Sequence, residues 1–412
     1  MSPSPVALDA LDALDALPSI GDFYAHYWNK RPFLVRDAID QTVMDELITP
    51  DQLAGLSLEE TARARMVIRK DMGTRKDWAC QFGPFTEDDF KTAGKSPWSL
   101  LVQNVEQFHP ETATLVCAFN FAPRWLMDDI MVSFSTTGGT IGGHVDSYHV
   151  FLVQGQGSRR WTVGREPIID EAYIEGLDLK ILKDPIDGNI VEVTSGDILY
   201  IPPHFAHEGL TLDDALTFSV GFLGPKLSEL YGAYGEHLAD HDALDHRYAG
   251  EGLSADSSGF TLSIDAVDAL RTHLGKPLGT PAFSEWLAAF FTGSTNEDIA
   301  QYSERDDTLS LAAFTEALQA GAGLIKPAYV KFALTPSSPQ APPHSSPQSS
   351  GGTYSLGFER ETFDINDAAL AVILSLMKED AVTTHDTPEL LAHLDLLRTL
   401  YNHQALEITD RS

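Results

Sequence analysis

The chain has 412 residues, 28 Lys and Arg against 60 Asp and Glu (net charge −32), 43% hydrophobic residues and two cysteines. This is apolar sequence for roughly two to three domains, but Cys80 and Cys117 exclude a disulfide-stapled fold or a cysteine zinc site and fit a reducing compartment. No apolar run approaches the ~18 residues of a membrane span, and so acidic a surface repels phosphate backbones, which speaks against direct nucleic-acid binding and for a basic partner.

Residues 1–19 carry the repeat LDALDALDAL from Leu8 to Leu17 and read as a low-complexity N-terminal extension. They lack a basic leader followed by an apolar block, so no secretory signal is expected and the protein is placed in the cytoplasm. From Ile20 the sequence becomes globular: FYAHYWNKRPFLVRDAI reads as an aromatic-rich helix ended before Pro32, then a strand over Phe33–Val35. Between Asp129 and Leu223, short runs rich in Val, Ile, Phe and Tyr alternate with Gly clusters: IMVSFS, GGTIGGHVD, YHVFLVQGQGS, RRWTVG, VEVTSGDILYIPP and ALTFSVGFLG. Several short strands with Gly turns predict a closed β-barrel or sandwich.

After Pro225 the pattern turns helical: KLSELYGAYGEHLADHDALDHRY, IDAVDALRTHL and PAFSEWLAAFF. From about Asn296 it predicts a helix (Leu309–Ala320), a strand-like AYVKFAL, a strand pair in YSLGFERETFDI, a helix DAALAVILSLM and a closing helix PELLAHLDLLRTLYN. That order suggests a winged-helix-like unit. Thr335–Thr353 is rich in Pro, Ser and Gly and cannot pack a core; it is either an inter-domain linker or a long loop between two strands of the last domain.

The chemistry is concentrated in His144-Val145-Asp146 and in His207 of GDILYIPPHFAH. On a strand, residues i and i+2 share a face, so His144 and Asp146 can reach one metal, and a histidine from a neighbouring strand completes three ligands on one side. Two histidines and a carboxylate with the opposite face open form the ligand set of non-haem Fe(II) oxygenases. Gly138, Gly139, Gly142 and Gly143 precede the first ligand, where backbone approaches a cavity. In the second half Gly196 turns the chain, Asp197–Ile201 forms a strand, Pro202-Pro203 ends it, and His207 follows at a barrel rim. A chelating 2-oxo acid requires a buried cation for its far carboxylate, and arginine binds carboxylates bidentately. Of the neighbours Arg159 and Arg160 one must face inward, and periodicity leaves the choice open. His237 and His241, at i and i+4 beside Asp240, Asp242 and His246, read as a solvated helix surface, and His149 as a packed barrel residue. No nucleophile elbow, phosphate loop or catalytic-cysteine context is present.

The stretch DDIMVSFSTTGGTIGGHVDSYHVFLVQGQGSRRWTVG, followed by SGDILYIPPHFAHEG, resembles the JmjC-type bacterial ribosomal oxygenases, as do FYAHYWNKRPFLVRDAI, WSLLVQNVEQFHP and the GPF of residues 83–85. The resemblance spans most of residues 20–225 and continues weakly to the end. It implies a mixed α+β protein: an N-terminal extension (1–19), a double-stranded β-helix (cupin, JmjC-type) barrel (20–225), a helical dimerisation region (226–295) and a winged-helix-like domain (296–412). It further implies a homodimeric dioxygenase that uses Fe(II), 2-oxoglutarate and dioxygen to hydroxylate an arginine of large-subunit ribosomal protein sixteen. The iron ligands would be His144, Asp146 and His207; the 2-oxoglutarate arginine would be Arg159, with Ser133 lining its pocket. Departures are His204 at the rim, where relatives commonly have glycine, His149 in place of an acidic residue, and the long Pro/Ser loop. The alternatives are the same chemistry on another residue, such as histidine, of a different basic protein, a non-catalytic barrel binding a partner through its acidic face, and a sugar- or small-molecule-processing cupin using zinc or manganese.

Overall fold

The computed structural model describes residues 11–69, 78–94, 96–241, 244–254, 260–293, 305–336, 353–378 and 381–409, which fall into two compact units, Met1–Gly224 and Pro225–Ser412. The first contains twelve strands among its described residues: β1 (Asp12–Leu14), β2 (Phe33–Val35), β3 (Ala64–Arg69), β4 (Trp78–Phe82), β5 (Trp98–Val102), β6 (Met127–Ser135), β7 (His149–Gln154), β8 (Arg159–Pro167), β9 (Gly188–Val193), β10 (Ile198–Ile201), β11 (Phe205–Thr211) and β12 (Ala215–Phe222). Nine form one sheet in the order β1-β2-β10-β7-β12-β6-β5-β3-β4, and β11-β8-β9 form a second. The two sheets are the walls of a double-stranded β-helix.

Side-chain alternation divides the large sheet between two cores. Phe33, Val132, Phe151, Val153, Tyr200, Phe218 and Val220 face a core of N-terminal aromatic residues, where Phe23 meets Phe121 at 4.8 Å and Phe119 meets Phe151 at 4.5 Å between ring centroids. Their sequence neighbours Leu34, Val150, Leu152 and Leu199 face the small sheet, packing with Trp161, Val163 and Val193. Both faces of β7, β10 and β12 are therefore covered, every residue of these strands is buried, and they read in the sequence as mostly apolar runs without Asp, Glu, Lys or Arg.

Several sequence expectations need correction. The aromatic helix is only one short turn, Ile20–Asp22, running into a π-helical turn over Phe23–Tyr27. The N-terminal repeat is not merely an extension. Asp12–Leu14 pairs in parallel with β2 as an edge strand, Leu14 packs on the aromatic core and Leu11 on the other; residues 1–10 lie outside the described part. Pro202-Pro203 ends β10 at Ile201 as expected, but a further strand that the sequence reading lacked, β11, begins at Phe205.

In the second unit, helix Leu227–Asp240 is shorter than its helical pattern, and its buried Tyr234 meets Phe283 and Trp286 of helix Pro281–Thr292 at 4.8 and 4.7 Å. Helix Ile264–Gly275 follows the expected bounds. Strands β13 (Gly323–Ile325) and β17 (Glu407–Thr409) pair, as do β14 (Ala333–Pro336), β15 (Thr353–Phe358) and β16 (Glu361–Asn366). AYVKFAL is strand only from Ala333, and the closing helix is broken at His393 into a 3-10 turn and helix Leu394–Asn402. Because Pro336 pairs with Tyr354, the Pro/Ser-rich stretch connects adjacent strands of one sheet and is not an inter-domain linker; residues 337–352 lie outside the described part. Helix Pro281–Thr292 lies against β14 and β15, so residues on both sides of position 295 share one packed unit.

Candidate metal and cosubstrate centre

His144, Asp146 and His207 converge although only one of them stands on a regular strand. His207 is the third residue of β11, 1% exposed, and therefore inside the barrel instead of on its rim. The stretch before His144 does not form the expected strand. Gly142 has φ +84°, its N–H is taken by the Thr140 hydroxyl (3.0 Å), and the Gly143 carbonyl accepts from Leu182 N–H (2.7 Å). A β-carbon on Gly142 would stand 3.0 Å from Ile181, so glycine serves both the turn and the close approach. Two long-range contacts replace the ladder. His144 and His207 exchange both backbone hydrogen bonds (3.0 and 2.9 Å), and His204 N–H donates to the Asp146 carbonyl (2.8 Å).

The ligand atoms of the three residues all lie within 4.8 Å of one another, and among the described residues this is the one group of its kind. Asp146 Oδ2 is 3.5 Å from His207 Nε2 and 3.9 Å from His144 Nε2. The far nitrogens face carbonyls: His144 Nδ1 lies 2.9 Å from Gly142 O, and His207 Nδ1 3.0 Å from Phe205 O. A carbonyl only accepts, so each Nδ1 carries the proton and each Nε2 presents its lone pair to the shared space. Burial, together with the neighbouring His207, depresses His144 to about 4. Burial pushes Asp146 up, but the two imidazoles beside it, His207 foremost, and the Tyr148 hydroxyl outweigh it and hold the carboxyl at about 2. At neutral pH the pair is thus a neutral imidazole and a carboxylate, the states that bind a divalent cation.

The parity question at Arg159 and Arg160 is decided by packing. Arg160 is exposed and pairs with Glu192 at 2.7 Å, whereas Arg159 is 7% exposed with its guanidinium 5.8 Å from the centre of the Trp161 ring. Arg159 Nη2 donates to the Ser135 hydroxyl, which donates to Ser99 (2.7 Å). No carboxylate pairs with Arg159 among the described residues, Arg159 Nε and Trp161 Nε1 are buried without a partner, and burial lowers the guanidinium to about 10. A buried cation with free donors requires an anion.

A cavity of about 270 Å³ joins Arg159 to the triad and is lined by Ser133, Tyr148, Trp161 and Ser219. Ser133 lies where the sequence places it, but the hydroxyl touching Arg159 belongs to Ser135, one pleat further on the same face. Ser135, Trp161 and Tyr148 were missed by sequence reasoning; a period of two from Ser133, Arg159 and Asp146 was the signal that could have found them. His149 is a packed residue, stacked on Trp28 at 3.4 Å with Nδ1 2.7 Å from the Tyr200 hydroxyl. Among the described residues His237 and His241 gather no further ligand; His241 Nδ1 instead bonds the His237 carbonyl (2.9 Å), and Asp242 lies outside the described residues. Cys80 and Cys117 are not joined in a disulfide.

The donors fit a divalent cation and a dianionic 2-oxo acid, so fold and site together define an iron- and 2-oxoglutarate-dependent dioxygenase built on a double-stranded β-helix. The JmjC domain profile matches residues 114–230. The Escherichia coli ribosomal protein uL16 3-hydroxylase is 35% identical over 282 residues, 68% of this chain and 73% of that one. A probable ribosomal oxygenase of Haemophilus influenzae is 41% identical over 209 residues, 50% of each chain. Among solved structures, Escherichia coli YcfD, a ribosomal oxygenase in complex with cobalt and 2-oxoglutarate, is 28% identical with a TM-score of 0.75, covering 94% of this chain and 97% of that one. The chain belongs to the JmjC-domain ribosomal oxygenases.

Proposed function

We propose that the protein hydroxylates an arginine of ribosomal protein uL16. The observation that carries the reading is the buried, carboxylate-free Arg159 joined by one cavity to the His144–Asp146–His207 group, in a chain 35% identical to a uL16 3-hydroxylase. His144, Asp146 and His207 would hold the iron on one side only, leaving the other for cosubstrate and oxygen. Arg159 would bind the far carboxylate of 2-oxoglutarate, with Ser133 and Ser135 along its path. Bound iron and 2-oxoglutarate supply the activation of dioxygen that hydroxylates an unactivated carbon.

The chain's own side chains do the positioning. The imidazoles of His207 and His144, with the Tyr148 hydroxyl, keep Asp146 ionised, the Gly142 and Phe205 carbonyls fix the imidazole tautomers, and the covered walls of β7 and β12 exclude water. The net charge of −32 would draw a basic ribosomal protein to the mouth. We assign residues 226–295 to dimerisation and 296–412 to a winged-helix-like domain that does not bind nucleic acid, and place the enzyme in the cytoplasm with its substrate. No helix among the described residues is long and apolar enough to cross a membrane.

The test is mass spectrometry of large-subunit ribosomal proteins from cells with and without this chain. An added oxygen on an arginine of uL16 is expected only when the chain is present. The same gain on a histidine or on another protein would replace the substrate, and no gain on any would leave a binding module.

A further inference from the structure

One flank of the cavity mouth is built by the excursion between β8 and β9. Its start is tied to the turn before β11, where Ile168 N–H donates to the His204 carbonyl (2.8 Å). Its far limb is tied to the residue before His144, where Leu182 N–H donates to the Gly143 carbonyl (2.7 Å). Between these anchors the two limbs pair through Ile174 N–H to Ile181 O (2.9 Å) and Lys183 N–H to Ala172 O (2.8 Å). Asp178 to Ile181, at the far end of this excursion, line the cavity itself.

Glu171 stands at the base of the first limb. The Tyr173 hydroxyl donates to its Oε2, and His204 Nδ1 lies 3.8 Å from its Oε1. His204 has φ +68°, a left-handed backbone unfavourable for any residue with a β-carbon. The His204 peptide is also one hydrogen bond (2.8 Å) from the Asp146 carbonyl, so the metal centre and the imidazole at the rim share one backbone anchor. Burial, the hydrogen bond to Glu171, and the charges of Glu171 and Asp146 push the Tyr173 phenol to about 12. Iron would balance Asp146. Among the described residues Glu171 has a phenol and an imidazole beside it, pairs with no lysine or arginine, and keeps 30% of its side chain exposed.

We propose that Glu171 binds a second cationic side chain of the substrate, an arginine or lysine flanking the hydroxylated residue, and so selects which basic segment enters. Tyr173 fixes the carboxylate by its hydrogen bond, with His204 alongside, and Glu171 is a specificity residue that touches substrate away from the reacting carbon. The inference rests on the proposed action on a basic ribosomal protein.

The experiment uses the full chain loaded with cobalt and 2-oxoglutarate, titrated with two peptides of the uL16 segment. One is natural, and in the other the basic residues flanking the target arginine are alanine. Glu171→Gln is expected to weaken the natural peptide about five- to tenfold and the alanine peptide less than about twofold, the loss shrinking as salt is raised. Asp170→Asn, the same charge change one residue away, should move neither by more than about twofold. A natural peptide that Glu171→Gln binds as well as the parent does, or a parent that does not distinguish the two peptides, overturns the proposal. Hydroxylation by the iron form, read by mass, is scored separately. A mass gain with unchanged peptide affinities sinks only the Glu171 assignment, and a Glu171-dependent affinity without a mass gain sinks only the uL16 reading.

Discussion

Arg159 and His149 show how burial gives single side chains opposite tasks. Arg159 is a cation enclosed with no carboxylate partner among the described residues and two of its neighbours' hydroxyls nearby, so its charge is available to a ligand. Arg159→Met should weaken 2-oxoglutarate about 10- to 100-fold, the equivalent of the ~1.5–3 kcal/mol of a hydrogen bond to a charged group, measured by titrating the cobalt-loaded protein. His149 is enclosed as a neutral ring, with burial depressing it from 6.5 to about 3. Above pH ~6.5 it is neutral in both folded and unfolded chains and contributes no pH dependence. Below that, the unfolded chain takes up a proton that the folded one refuses, and stability falls by about 1.4 kcal/mol per pH unit until the folded value is reached. Melting temperatures from pH 7 to 4 should therefore drop more steeply for the parent than for His149→Phe.

The turn between β7 and β8, which carries the chain from the large sheet to the small one, is the element on which the cosubstrate end of the cavity depends. This turn, Gly155-Gln156-Gly157-Ser158, brings Arg159 in directly after β7, and Gly157 turns it with φ +70°. A β-carbon there would stand 2.2 Å from the Asp214 carbonyl oxygen, which is backbone and cannot yield as a side chain would. Gly157→Ala should cost about 2 kcal/mol or more from backbone strain and this overlap, read as a lower midpoint in urea with an unchanged slope. The cost is independent of cosubstrate, which separates it from a loss of ligand contacts.

At the scale of the molecule, 60 acidic against 28 basic residues make approach to a cationic partner a long-range matter. Screening shortens the reach of that field to ~10 Å at 0.1 M salt. KM for a basic protein substrate should rise by about tenfold between low and high salt while kcat holds, because steering acts on encounter and not on the reacting bond. Steady-state kinetics across an ionic-strength series measure it, and a short neutral-flanked peptide should show little of the effect.

What the residues alone determined was local chemistry and covering. His144, Asp146 and His207 carry metal-binding atoms wherever they are placed, and runs such as HVFLVQ and ALTFSVGF are mostly apolar and free of Asp, Glu, Lys and Arg because both faces of those strands are covered. Most elements after Pro225 were legible for a related reason: 3.6- and two-residue periods report which face is buried, and that information is contained within each segment. Tertiary structure alone decided the rest. The inward choice between Arg159 and Arg160, the irregular backbone that still brings His144 to His207, the edge pairing of Asp12–Leu14, the strand after Pro202-Pro203 and the juxtaposition of Glu171 with His204 are all contacts between segments distant in the chain. Which nitrogen, carbonyl or ring stands opposite a residue depends on how two sheets close on each other, and no local period encodes that partner.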